Sequence, residues 1–324
     1  MIVTKTPFRI SFCGGGTDIP SHYRNNGGCV VSTSIDKYTY ITLARSFYSD
    51  STTLKYSSVE TVKDIGDIKH PIFREVLQKY DLNGLEINST SNIPAGTGLG
   101  SSSTFSVGLI NAVRTFKGLE VTKDIIADEA CDVEINRLGE PIGKQDQYTA
   151  AFGGLNFIKF NKDDSVDVEP IKLTAEEKQE MSDNLLMFYL GGTRSASKIL
   201  EKYSGSTKSL DDKKNDLTKL AIRLRDNLND GDIQYLGKSL DEGWKIKKSL
   251  SEGISNNTID EVYDTAISNG AVGGKLLGAG GNGFMLFYVE KKDQSSVRSA
   301  LSDYREMIFN FDQNGSQVIY NDDH

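Results

Sequence analysis

Three glycines at alternate positions, Gly96, Gly98 and Gly100, run straight into three serines, Ser101, Ser102 and Ser103, within residues 94–117. Phe105, Leu109, Ala112, Val113 and Phe116 follow at helical spacing, and Gly118 stops the pattern. A glycine-rich loop that opens a helix aims bare backbone N–H groups and the positive end of the helix dipole at one spot. An anion, most often a phosphate, belongs there. The same residue types also make ordinary turns and N-caps. Two features favour the anion site. The preceding L-E-I-N-S-T alternates like a strand, so the loop joins a strand to a buried helix. Glycine at every second position also gives more backbone freedom than a cap needs. No lysine follows Gly100, so this is not the Walker A form.

Three carboxylates and one arginine could act beside such a loop. Asp18 ends C-G-G-G-T-D, and its glycine loop reads equally as a site or as an Asx-capped surface turn. On a wheel at about 100° per residue, Ile126, Ala127, Ala130, Val133 and Leu138 share one side of a helix running from Thr122 to Leu138. Glu134 falls among them, while Asp128, Glu129 and Asp132 fall opposite. A carboxylate on an apolar face must be paired, hydrogen-bonded or metal-bound, and an ion pair with Arg137 is the structural alternative. Asp146 lies in G-K-Q-D-Q-Y, read as a glycine-containing loop before a strand at 154–160. Arg194, in G-G-T-R-S-A-S, is a candidate anion or sugar ligand where a solvent-facing arginine is the default.

These residues need elements to hold them. Residues 7–12 read as a strand, 28–48 as two or more strands, 53–63 as more of the same, and 70–80 as a short helix. Thr174 and Glu177 form a capping box. The continuous apolar run at 185–190 reads as a buried strand. Residues 207–269 read as charged, solvent-faced helices around Trp244, and the boundary between two domains, 1–174 and 175–324, is set near 174. Residues 278–283 satisfy G-x-G-x-x-G, but a strand follows rather than a helix, so dinucleotide binding is excluded. No H-R-D or D-F-G occurs, so a protein kinase is excluded too. That loop serves either backbone contact with a phosphate or close packing beside the first glycine loop.

The chain has 324 residues, 37% hydrophobic and 25% charged, with a net charge of −8. The acidic balance argues against nucleic acid or anionic membrane as a partner. Three widely spaced cysteines argue against a disulfide framework and suit the cytoplasm. Neither a signal peptide nor a membrane span is expected. Neither a zinc site nor a Ser-His-Asp triad can be spelled.

P-F-R-I-S-F-C-G-G-G-T-D, P-A-G-T-G-L-G-S-S-S and K-L-L-G-A-G-G-N-G-F, in this order, resemble the three motifs of the GHMP kinase superfamily. Four further stretches, R-I-S-F-C-G-G-G-T-D-I-P, G-K-Q-D-Q-Y, T-R-S-A-S and W-K-I-K-K-S-L, resemble its sugar-1-kinase branch, which includes heptose-phosphate and L-fucose kinases. The resemblance implies an α+β fold: an N-terminal ribosomal-S5-like domain and a C-terminal ferredoxin-like domain with the site between them. It implies ATP and Mg²⁺ as cofactors and a small sugar phosphate as substrate, phosphorylated at its anomeric hydroxyl. Pro94, Gly96, Gly98, Leu99, Gly100, Ser101, Ser102 and Ser103 would wrap the ATP phosphates. Ser102 and Glu134 would bind Mg²⁺. Asp146 would be catalytic, with Arg9 paired to it. Gly15, Gly16, Thr17, Asp18, Thr193 and Arg194 would meet the sugar. A phosphorylated substrate needs a cationic pocket, for which Arg194, Lys144, Arg137 and Arg24 are candidates. The pattern G-G-G-T-D departs from the galactokinase form, Asn282 replaces a motif glycine, and Lys144 and Gln145 precede Asp146. Another sugar 1-kinase, for L-fucose or a uronic acid, or a non-catalytic sensor are the alternatives. The chain is expected to be a monomer or homodimer.

Overall fold

The computed structural model describes residues 1–47, 50–192, 201, 205 and 207–322. The first half builds β1 (Ile2–Cys13), α1 (Pro20–Asn26), β2 (Gly28–Arg45), β3 (Thr52–Lys55), β4 (Val59–Val62), α2 (Pro71–Lys79), β5 (Leu85–Ser91), α3 (Ser101–Phe116), α4 (Lys123–Cys131), α5 (Gln145–Phe152), β6 (Leu155–Phe160) and β7 (Val166–Pro170). The second half builds α6 (Ala175–Asp183), β8 (Leu185–Tyr189), α7 (Lys208–Asn229), α8 (Tyr235–Lys248), α9 (Asn257–Ser268), β9 (Ala271–Leu276), β10 (Phe284–Val289), α10 (Gln294–Ala300), β11 (Arg305–Glu306), β12 (Phe311–Asp312) and β13 (Gln317–Asn321).

One sheet runs β13-β1-β2-β5-β3-β4, with β6 and β12 also on β2 and β7 on β6. The other runs β11-β8-β10-β9. Residues 28–45 form one long strand, not the two or more expected. The strand changes partner half-way, pairing β6 through Gly28–Thr33 and β5 through Thr39–Arg45. Its first eight residues are buried on both faces, and the rest largely alternate. That change of environment breaks up the pattern along a continuous strand.

β11 pairs with β8, but β12 and β13 cross back to β2 and β1. Cutting the chain at 174 therefore puts its last strands in the wrong sheet. One core also joins the halves: Phe8, Ile10 and Phe12 of β1 pack in a cluster with Leu220, Leu224 and Leu240 of α7 and α8 and with Leu286 of β10. The cleft between the halves thus has walls that share a core.

α4 ends at Cys131 and continues as a π-helical turn, Asp132–Arg137. Glu129, expected on the solvent side, is 7% exposed. It accepts from the Tyr80 hydroxyl and pairs with Lys79 Nζ at 2.8 Å and Arg114 Nη1 at 2.9 Å. The reason is that α4 packs against both α3 and α5, so its buried arc is wider than one wheel face. The partners hold the Glu129 carboxyl below its ordinary value against the opposing effect of burial. Glu129→Ala takes the carboxylate from partly buried Arg114 and leaves Lys79 only a 3.8 Å contact with Asp132. It should lower the unfolding free energy by about 3 kcal/mol, read by denaturant titration; a loss under about 0.5 kcal/mol would mean the network is only a surface feature.

Candidate active site

Gly96, Gly98 and Gly100 all take positive φ, at 76°, 89° and 77°. Gly100 is the N-cap of α3 in a left-handed conformation, and no side chain caps the helix. The first turn of α3 therefore points its N–H groups at the cleft, as an anion site requires. The helix begins on the serines, at Ser101, four residues before Phe105 opens its apolar spacing, because small polar residues carry no periodic signal.

The loop is pinned from the other half of the chain. A Cβ on Gly278 would lie 2.4 Å from the Cα of Gly98, and one on Gly283 would lie 2.3 Å from the carbonyl oxygen of Thr97. The second glycine loop therefore packs directly against the first. Lys247 of α8, 8% exposed, donates from Nζ to the carbonyls of Leu276 and Gly278. Lys275 of β9 donates to the carbonyls of Ser11 and Phe12 at 2.7 and 3.0 Å, and burial pushes its amine down to about 8.

Arg9 of β1 meets both oxygens of Asp146. Its Nε donates to Oδ1 and its Nη2 to Oδ2, both at 2.7 Å, and Nη1 donates to the carbonyl of Gly98 at 2.7 Å. Asp146 lies in the first turn of α5, not in a loop as expected. No side chain caps that helix, so its start left no signal in the sequence.

Glu134 is buried, as its place on the apolar face requires. Its partners are Ser102 Oγ, donating at 2.6 Å, and Gln147 Nε2, donating at 2.8 Å. Arg137 is not among them; it pairs with Glu75 and Asp132. Burial pushes the Glu134 carboxyl up to about 7, against hydrogen bonds from Ser102, Gln147 and Ser103. Ser102 and Glu134 form an all-oxygen donor pair beside the phosphate loop, which suits Mg²⁺ completed by phosphate oxygens and water. Among the described residues no group of three or more His, Cys, Asp or Glu side chains could hold a metal alone.

Asp18 is 2% exposed. Its carboxylate accepts from the N–H of Gly16 at 2.9 Å and of Gln145 at 3.1 Å, and burial raises its pKa. Gly15, Gly16 and Asp18 line a cleft of about 1000 Å³ together with Arg9, Asp146, Glu134 and most of the first glycine loop. Two expected residues do not. The Thr17 hydroxyl is tied to the backbone of Cys29, and Leu99 is in the core. Thr193 and Arg194 lie outside the described residues. Arg24 and Lys144 are turned onto Asp164, so with Arg137 none of these three forms the expected phosphate pocket. The cations lining the cleft among the described residues are Arg9, Lys247 and Lys275. Sequence reasoning missed both lysines. Lys275 opens the third motif and Lys247 lies in W-K-I-K-K-S-L, and those stretches were the available signals.

The sequence matches the GHMP kinases N terminal domain over residues 68–154 and the GHMP kinases C terminal domain over 224–308. It is 32% identical over 315 residues to the D-glycero-alpha-D-manno-heptose 7-phosphate kinase of Campylobacter jejuni, covering 93% of each chain. The chain belongs to the GHMP kinase family. Its fold is that of the D-glycero-D-manno-heptose 1-phosphate kinase from Bacteroides thetaiotaomicron, at TM-score 0.79 and 25% identity over 99% of this chain and 100% of that one. This GHMP kinase is also 26% identical to an L-fucokinase/L-fucose-1-P guanylyltransferase of Bacteroides fragilis, over 91% of this chain and 35% of that longer protein. The two-domain α+β fold expected from the motifs is therefore present. Among the described residues no helix is long and apolar enough to cross a membrane.

The raised Glu134 pKa has a consequence for the metal-free kinase. The ordinary value is 4.5 and the folded value about 7, so the folded state holds this proton more tightly than the unfolded chain. The contribution is fully present below the unfolded value and is lost as pH rises through about 7. Glu134→Gln removes the titration. In urea unfolding without Mg²⁺ the variant should gain up to about 3 kcal/mol over wild type at about pH 8 and almost nothing near pH 4.5. An equal difference at both pH values would contradict a buried, titrating Glu134.

Proposed function

We propose that this GHMP kinase, a phosphotransferase that uses ATP, transfers the γ-phosphoryl group to the anomeric hydroxyl of D-glycero-D-manno-heptose 7-phosphate, giving the 1,7-bisphosphate. The observation that carries the reading is the near full-length similarity to the Campylobacter heptose 7-phosphate kinase. The bidentate Arg9–Asp146 pair beside the glycine loop supplies chemistry to match.

In this reading the backbone N–H groups of the Gly96–Gly100 turns and of the start of α3 hold the ATP phosphates. Tyr56, Ile72 and Phe105 wall an apolar end of the cleft that suits the base. Ser102 and Glu134 would hold Mg²⁺, which would supply positive charge against that of the phosphates. The sugar lies over Gly15, Gly16 and Asp18, with its anomeric hydroxyl at Asp146. As the C1 oxygen approaches the γ-phosphorus in line with the bond to the β-phosphate oxygen, Asp146 accepts the hydroxyl proton. One P–O bond forms, one breaks, and ADP leaves. The transition state is loose and highly charged, so positioning and electrostatics dominate. Arg9 fixes the carboxylate geometry and places positive charge beside the migrating group. An anomeric hydroxyl is more acidic than an ordinary alcohol, which lightens the demand on the base. We place the reaction in the cytoplasm, in a monomer or homodimer.

The test is ADP release with Mg-ATP and a panel of heptose 7-phosphate, unphosphorylated heptose, L-fucose and uronic acids, with phosphorus NMR of the product. A new anomeric phosphate is expected from the heptose 7-phosphate alone. Asp146→Asn should lower kcat by about two orders of magnitude or more with ATP affinity nearly unchanged. Turnover of an unphosphorylated sugar instead would move the substrate. Near-normal turnover in the variant would remove Asp146 from the chemistry.

A further inference from the structure

Two side chains in the cleft carry buried polar atoms without a partner among the described residues: Ser11 Oγ and Gln145 Oε1. Both residues line the cleft. Ser11 follows Arg9 by two residues on β1, which puts the two side chains on the same face of the strand. Gln145 opens α5 and directly precedes Asp146. The two side chains converge over Gly15. A Cβ built there would lie 3.4 Å from Ser11 Oγ and 3.5 and 3.6 Å from Gln145 Nε2 and Oε1. The Arg9–Asp146 pair and Asp18, whose carboxylate takes the Gln145 N–H, line the same cleft.

Buried polar atoms are ordinarily paired, and those left unpaired in a folded protein have a reason. Here the open valences are complementary to one kind of group. Gln145 Oε1 only accepts, whereas a serine hydroxyl can donate. A single hydroxyl between them donates to Gln145 Oε1 and accepts from Ser11. An apolar group satisfies neither atom, whereas a hydroxyl, donor and acceptor in one, satisfies both.

We infer that Ser11 Oγ and the Gln145 side-chain amide recognise the ring hydroxyl next to the anomeric carbon, the C2 hydroxyl of the acceptor sugar. The inference rests on the proposed reaction, which places the C1 hydroxyl at Asp146. Ser11 shares a strand face with Arg9, which holds Asp146, and Gln145 opens the same helix turn as Asp146, so the two open atoms lie within a sugar ring's reach of the C1 hydroxyl, whose nearest ring neighbour is the C2 hydroxyl. A site built from buried polar atoms rejects an analogue lacking the hydroxyl, because those atoms stay unpaired. The pair thus selects among sugars at C2.

The experiment compares kcat/KM for D-glycero-D-manno-heptose 7-phosphate and for its 2-deoxy analogue, in wild type, Ser11→Ala and Gln145→Met. Wild type should lose about a hundredfold or more on the 2-deoxy sugar. Each variant should lose about tenfold on the parent sugar but little on the analogue, with KM for ATP unchanged. Gly15→Ala, whose added methyl meets the two side chains at ordinary contact distance, should raise KM for the sugar and leave KM for ATP alone. Equal losses on both sugars, or a wild type indifferent to the C2 hydroxyl, overturn the inference. If wild type phosphorylates a different sugar of the panel, the substrate assignment fails by itself. The pair is then judged by the same ratio on that sugar and its 2-deoxy analogue.

Discussion

One guanidinium ties three parts of the cleft together. Arg9 leaves β1 and spends its donors on both oxygens of Asp146 and on the carbonyl of Gly98. It thereby sets the start of α5, the Gly96–Gly100 loop and β1 of the first sheet in one fixed relation. The Arg9 side chain is 5% exposed and that of Asp146 22%, so the guanidinium is anchored in the protein and presents the carboxylate to the cleft. A bidentate fork orients a carboxylate in a way that a lysine cannot.

The remaining constraint is the contact of one glycine loop with the other. Backbone lies against backbone at Gly98 and Gly278, and no side chain fits between. Lys247 braces the second loop by donating to the Gly278 carbonyl, and Lys275 ties β9 to β1 by donating to the carbonyls of Ser11 and Phe12. The two halves share a hydrophobic cluster under β1, and the last strand returns to the first sheet. The position of the Gly96–Gly100 loop is therefore set from both halves of the chain, although each half contributes only part of the cleft.

Much of this was legible in the sequence, for identifiable reasons. The Gly96–Ser103 loop was readable because glycine spacing reports backbone conformation directly. Glu134 was readable because a carboxylate on an apolar helix face must have a buried partner. The strands at 7–12, 85–90 and 185–190 and the Thr174–Glu177 capping box carry local signals, and each is present. What failed was non-local. Glu129 was placed in solvent because a wheel assumes one buried face, whereas α4 has neighbours on two sides. The helix carrying Asp146 starts without a cap. β2 hid its continuity by changing partners. The return of the chain end to the first sheet depends on pairing that no local pattern encodes. The partners of Arg24, Lys144 and Arg137 are likewise tertiary facts.

The account stands on Arg9 acting through Asp146. Its most direct test is a double-mutant cycle of kcat for Arg9→Lys, Asp146→Asn and the pair together. The account predicts strong non-additivity: Arg9→Lys lowers kcat by about tenfold or more in the wild-type background but by little once Asp146 is Asn. If the two factors simply multiply, Arg9 and Asp146 work independently and the central claim is wrong.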